Sequence, residues 1–448
     1  MQFQKFIVIL CLCVMVLIPL TTNAQKKDLA NPPVPEVPPR TPYSDVQRDA
    51  LLNGLQVVTL ERAGEARLSC DLVIRSGAMF DLAGKAGLAA LTQETLLATN
   101  PRLTEELESL QAKLVWGVTP DTTWFHLESS LDGFDTALSI IARLLVVDNP
   151  RADSFQRAQQ ARLEQLKARA AKLTLAERAD ERFLATLYGH HPYGHNVEGT
   201  EQTVTAITRG DVIDFYKRFY LANNSAVIML GNVKHERVMR AFKTTFGGWI
   251  KGPIVPASFR QPERNAEIRL VKVEVPEAAA VEWRGGVIGV KCTEPDFIAA
   301  SVLARVLEAR LKKDATEFSA SGLTVKAPPR LLPGPIFISA SIPAQRATEF
   351  SRRATESFTA LATAPITDEE LTAAKAALTS EDSARSVIEH LIEIEAYSLP
   401  RNHALTFNTR VNAVTAADAQ RVAKRLLDAN ALTVVVLGRV NEGIKSGN

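Results

Sequence analysis

The stretch GLAALTQETLL, residues 87–97, reads as a buried helix that carries one carboxylate, Glu94, and one carboxamide, Gln93. The carboxylate could hold a cation and the amide could hydrogen-bond, but no imidazole stands beside them. The histidines lie elsewhere, at His126, His190, His191, His195, His235, His390 and His403. No His-x-x-x-His falls on a convincing helix, so two imidazoles one turn apart are not available to grip one Zn2+. His190, His191 and His195 share the loop HHPYGH, which reads as a structural connection, and His126 reads as a satisfied strand residue. There is no Gly-x-Ser-x-Gly elbow, no phosphate-loop lysine and no Cys-x-x-Cys. EFSASG (317–322) offers serines without a partner to activate them.

The elements that would position these residues follow from pattern. Asn53-Gly54 marks a tight turn, and the β-branched run after it in LNGLQVVTLER (52–62) predicts a hairpin strand. Residues 68–79 read as a second strand and 84–99 as a helix. Residues 104–119 are a helix running into a strand, 122–130 a further strand and 134–146 a helix. Helices over 153–188 precede a loop punctuated by Pro192, Tyr193 and Gly194.

The 448 residues suit two or three domains of about 150 residues each. A hydrophobic content of 46% with 23% charged residues fits a chain that buries real cores, and a net charge of +2 gives no argument for nucleic acid. At the start, Lys5, the apolar run 6–20 and Thr22-Asn23-Ala24 read as a secretory signal peptide over 1–24. The mature chain is then periplasmic or secreted, with no membrane span left after cleavage. A proline-dense spacer fills 25–44. Cys70 and Cys292 remain, expected as two buried free thiols, with a bridge left open.

A repeat organises the rest. VTAITRGDVIDFYKRFYLANNSAVIMLGNV (204–233) lies on VNAVTAADAQRVAKRLLDANALTVVVLGRV (411–440) at an offset of 207, with 12 of 30 positions identical. The matches include Thr208/Thr415, Asp211/Asp418, Lys217/Lys424, Asn223/Asn430 and Gly231/Gly438. Each copy reads as a Thr-capped helix, a turn, an apolar strand and a Gly. The expectation is an α+β protein of two homologous domains, each a mainly antiparallel sheet covered by helices. They occupy 45–250 and 266–448 and are joined by a proline-bearing linker over 251–265.

RSGAMFDLAGKAGLAALTQETLL (75–97) and the segment LYGHHPYGHNVEGT with the helix after it resemble the first half of insulinase/pitrilysin-type peptidases of family M16. The likeness is strongest to the short processing-peptidase branch. PDFIAASVLARVLEARL (295–311) and ITDEELTAAKAAL (366–378) are similar to the family's second domain. Active members carry His-x-x-Glu-His on this helix: two zinc ligands and a general base, with a Glu downstream as third ligand. The resemblance puts Ala90 and Glu94 at the histidine positions and Gln93 at the base; the downstream Glu falls on Gln165 or Glu164, depending on register. Ala90 has no donor atom, and a carboxamide cannot take a proton from water.

The resemblance therefore implies a non-catalytic M16-like subunit that binds no cofactor of its own. Its implied partner is a homologue that bears the zinc, and together they enclose extended peptides. Arg310 is the implied substrate-binding residue from the second domain; the tyrosine that should accompany it is missing. Peptides would add as a strand at the sheet edge near 112–119, with 122–130 beside it. Two alternatives remain: a weak metallopeptidase built from Glu94, Glu164 and a loop histidine, and a stand-alone peptide-binding or scaffold protein.

Overall fold

The computed structural model describes residues 41–254 and 261–439. The expected signal peptide, most of the spacer 25–44 and part of the linker 251–265 lie outside the described residues.

The first half opens with β1 (Val46–Ala50), β2 (Gln56–Glu61) and β3 (Arg67–Ile74), then α1 (Leu88–Leu97), α2 (Leu103–Ser109), β4 (Lys113–Val118) and β5 (Thr123–Ser130). It continues through α3 (Phe134–Leu145), α4 (Ala152–Ala170), α5 (Leu175–Tyr188), α6 (Glu201–Ala206), α7 (Arg209–Phe219), β6 (Ser225–Gly231) and α8 (His235–Phe246). The second half runs β7 (Arg269–Glu274), β8 (Ala280–Ile288), α9 (Phe297–Glu317), β9 (Ser321–Lys326), β10 (Pro335–Pro343) and α10 (Ala347–Thr363). It closes with α11 (Asp368–Ala384), α12 (Val387–Tyr397), α13 (His403–Ala413), α14 (Ala416–Leu426) and β11 (Thr433–Gly438).

Each half builds one sheet, in the orders β1-β2-β6-β3-β5-β4 and β7-β11-β8-β10-β9. The repeat found in the sequence is visible in these orders. β6 and β11 each lie between one parallel neighbour (β2, β7) and one antiparallel neighbour (β3, β8). The helices before them start alike: Thr208 accepts from Asp211 N and Thr415 from Asp418 N, and each Asp returns the bond in a capping box. Both strands end on a glycine with positive φ, +146° at Gly231 and +141° at Gly438. A Cβ there would meet Arg67 O at 2.9 Å or Ala280 O at 2.8 Å, both immovable backbone of the neighbouring strand. Gly231→Ala and Gly438→Ala are each expected to lower stability by about 1–3 kcal/mol, read as a drop in the urea midpoint.

One face of each sheet carries its own helices. Leu68, Cys70, Leu72 and Ile74 of β3 point into the first core, and Val281, Trp283 and Val287 of β8 into the second. The opposite faces are covered by exchange. α5, which precedes the linker, lays Ala179, Phe183 and Leu187 on Ile288, Val435 and Leu437 of the second sheet. α12, from the second half, lays Leu391, Val387 and Ile388 on Val58, Leu60, Val73 and Ile228 of the first. β6 and β11 are thus buried on both sides, which accounts for their continuous apolar runs. Arg284 of β8 holds α5 through Asp180 and through Ala176 O at 3.1 Å; Arg75 holds α12 through Glu395 O at 2.6 Å. Sequence order assigned α5 to the first domain, but its apolar stripe gives no indication of which sheet it covers.

Cys70 and Cys292 are both buried and free, in different cores. Burial holds both thiols high, Cys292 at about 12. Among the described residues no helix is long and apolar enough to cross a membrane.

Candidate functional site

The helix α1 begins later than its apolar run suggests, because Gly87 takes a left-handed conformation (φ +94°) and ends the preceding turn. Its first amides are capped from afar. Asp81 accepts from Gly87 N at 2.7 Å through Oδ2 and from Ala89 N at 2.8 Å through Oδ1. Burial pushes the Asp81 carboxyl up to about 7, against the pull of these amides.

Ala90 is buried in this helix and brings no polar atom to the site. Gln93 is 2% exposed, and its Nε2 donates to Trp124 O at 2.9 Å and Gly117 O at 3.3 Å. Glu94 faces α4, and there it meets Arg162, a residue the linear pattern did not single out. Arg162 Nε donates to Glu94 Oε2 at 3.0 Å and its Nη2 to Oε1, a two-pronged pair. Arg162 Nη1 also stands 3.3 Å from Glu198 Oε2. Arg169, two turns on, reaches Glu181 at 2.8 Å and Glu198 at 3.9 Å. Burial raises the Glu94 carboxyl, and the Arg162 guanidinium pulls it back down.

The donor set does not suit Zn2+. A guanidinium occupies the space beside Glu94, Ala90 offers nothing, and a guanidinium is no metal ligand. Glu164 is exposed and accepts from Gln160 at 3.2 Å, while Gln165 lies at the rim of a cavity that Glu94 also lines. Among the described residues, no three His, Cys, Asp or Glu side chains gather as a metal site. The alternative built on Glu94, Glu164 and a loop histidine therefore has no geometric basis. Of the loop histidines, His191 serves packing. His191 Nδ1 accepts from Tyr193 N at 3.2 Å, and its ring sits 5.1 Å from that of Tyr193. Burial and the neighbouring His195 lower His191 to about 4, so its ring is neutral. His126 pairs across the sheet with Asp71 at 2.8 Å.

Arg310 is committed within its own domain. Its Nε and Nη2 grip Glu370 at 2.8 and 2.7 Å, and Nη2 also reaches Pro365 O at 3.1 Å. The expected substrate-binding fork is spent on joining α9 to the start of α11. The reason could not be read locally, because Glu370 follows 60 residues later.

Among the described residues, the outer strand β4 has β5 on one side and no strand on the other. It presents Val115 and Trp116, 39% and 38% exposed. Beside it, between α1, α2 and α4, lies a cavity of about 320 Å³ lined by Leu97, Leu103, Ala158, Ala161, Trp116 and Glu94. The β4–β5 turn is anchored across the two halves. Asp121 accepts from Tyr193 OH at 2.5 Å, and Tyr397 OH lies 3.3 Å from its other oxygen. Tyr193 OH in turn accepts from Leu332 N at 3.0 Å.

This two-sheet fold is similar to that of solved M16-like peptidases. Residues 206–378 match the peptidase M16 inactive domain. The crystal structure of a peptidase M16 inactive domain from Pseudomonas fluorescens superposes with a TM-score of 0.78 at 21% identity, over 89% of this chain and 99% of that one. The periplasmic protease PqqL from Escherichia coli gives a TM-score of 0.73 at 13% identity, over 90% of this chain and 49% of that one. The probable mitochondrial-processing peptidase subunit beta of Arabidopsis thaliana is 24% identical over 275 residues, 57% of this chain and 49% of that protein. The matched stretch thus spans about half the length of such relatives. Over residues 206–378 the chain is similar to the peptidase M16 inactive domain, and across both halves it has the fold of solved M16-like structures.

Proposed function

We propose that this chain is a non-catalytic M16-like subunit that docks extended peptides and pairs with a zinc-bearing homologue. The free edge of β4 carries this reading. It offers unpaired backbone groups for an added strand, and an apolar cavity beside Trp116 for one of that strand's alternate side chains. The amide at 93 and the guanidinium beside Glu94 support a subunit that leaves the cleavage to its partner. Pairing is supported by the length relation: the chain matches about half of the E. coli protease, so two such units make one molecule of that size. The basic and apolar start of the chain supports a periplasmic or secreted location.

The test uses a fluorescein-labelled peptide, Lys-Thr-Phe-Thr-Val-Thr-Phe-Thr-Lys, and purified full chain. Thr119 N bonds to Thr122 O, so ladder alternation turns the N–H groups of Trp116 and Val118 outward. Trp116→Pro removes one of those donors and should weaken binding at least tenfold. Ala161→Phe fills the cavity from its exposed rim and should do the same without disturbing the core. Unchanged affinity in both variants rejects docking at β4. Chelator-sensitive cleavage of the peptide by the purified chain alone rejects the non-catalytic reading.

A further inference from the structure

The position at which the resemblance places a general base is filled by a group with a different task. Gln93 lies on the helix side of the β4–β5 pair, and Gly117 and Trp124 stand directly opposite each other in that pair. Both carbonyls face the same end of the Gln93 side chain, at 3.3 and 2.9 Å. Two acceptors on one side fix the orientation of the amide, because only its nitrogen has protons to give. An ionised carboxylate in this place would set an oxygen against two carbonyl oxygens, with no donor between them. The other side of the strand is closed as well: a Cβ at Gly117 would lie 2.7 Å from the Trp124 indole.

We propose that Gln93 is a positioning residue for the docking edge. Its two N–H bonds clamp β4 to β5 at the last pair but one before the turn, and Asp121 holds the turn itself. The edge is thereby ordered before a peptide arrives, so the peptide does not bear the loss of freedom of the strand it joins. This inference rests on the reading of β4 as the peptide edge. It also gives the amide a reason of its own: a carboxylate could do base chemistry but could not hold this strand.

The experiment compares wild type, Gln93→Glu and Gln93→Met at pH 5 and pH 8. Its readouts are hydrogen exchange of residues 113–126, corrected for the intrinsic pH effect, and affinity for the nine-residue peptide above. Wild type at each pH, which carries the Asp81 and His126 titrations common to all three proteins, is the reference for both readouts. In Gln93→Glu at pH 5 the buried carboxyl is protonated and still donates one bond, so exchange stays within threefold of wild type. At pH 8 the ionised group repels both carbonyls; exchange of 113–126 rises at least tenfold and affinity falls at least tenfold. Gln93→Met, which keeps the volume, shows raised exchange at both pH values. At each pH, exchange of 335–343 in the second sheet is the same in all three proteins, which separates loss of the strand from loss of the fold. Gln93→Glu indistinguishable from wild type at pH 8 overturns the inference. If the exchange pattern is as described but wild type binds no peptide, the docking reading falls and the placement of β4 by Gln93 stands.

Discussion

Replacing Arg162 by alanine is expected to lower the stability of the protein by about 3–5 kcal/mol. Arg162 is 8% exposed and serves two carboxylates, Glu94 and Glu198, from three different parts of the first half. Removing it leaves Glu94 without its countercharge, in a place where burial already disfavours ionisation. The loss comes from the stranded charge rather than from the attraction in the intact pair, and this distinction can be measured. The double replacement Arg162→Met with Glu94→Gln removes both charges of the tighter pair and should recover most of the loss. Urea titrations of the three proteins decide it: a double variant no more stable than Arg162→Ala would show that packing, not charge, sets the cost.

The second large effect is a pH dependence. The folded-state pKa of Asp81, about 7, lies above its ordinary value, with burial as the leading cause. A carboxyl raised on folding contributes stability that is fully present below about pH 4 and is lost as pH rises through about 7. Its share of the change across that window is on the order of 3–4 kcal/mol. Asp81→Asn has no charge to bury and should remain flat over the same window, apart from a constant offset for one lost acceptor. The difference between wild type and Asp81→Asn in denaturant midpoint at pH 4, 5.5 and 8 isolates this group. Parallel profiles would mean that the amides of α1 fully compensate the burial of the carboxylate.

The elements around the site were legible in the sequence, and most of the site's actual contacts were not. Apolar patterning and turn signals placed β2, β3, β5 and the helices α1 and α3 near their true positions, because those signals act within a few residues. The repeat was legible because Thr208, Asp211 and Gly231 have counterparts at one fixed offset, and the two sheets share the strand order around β6 and β11. The identity of the groups at 90, 93 and 94 gave the chemistry that α1 lacks. The residues that replaced that chemistry could not be found this way. Arg162 is 68 residues from Glu94, and nothing in a helix of alternating Arg, Gln and Glu marks which side chain turns inward. The same holds for Glu370, which takes up Arg310. The amide of Gln93 reads as a loss until the strand carbonyls beside it are seen.

The exchange of α5 and α12 has a consequence for how this chain can exist at all. Deprived of α5, the second sheet would present Val435, Leu437 and Ile288 to water; deprived of α12, the first would present Val58, Leu60 and Ile228. Neither half is therefore expected to persist as an isolated fragment, whereas a single peptide-bond scission between them should leave the two pieces associated. The ancestral unit, before duplication, would have met the same demand by trading this helix with a second copy of itself. On that view the present chain is a former dimer whose two members have been joined end to end.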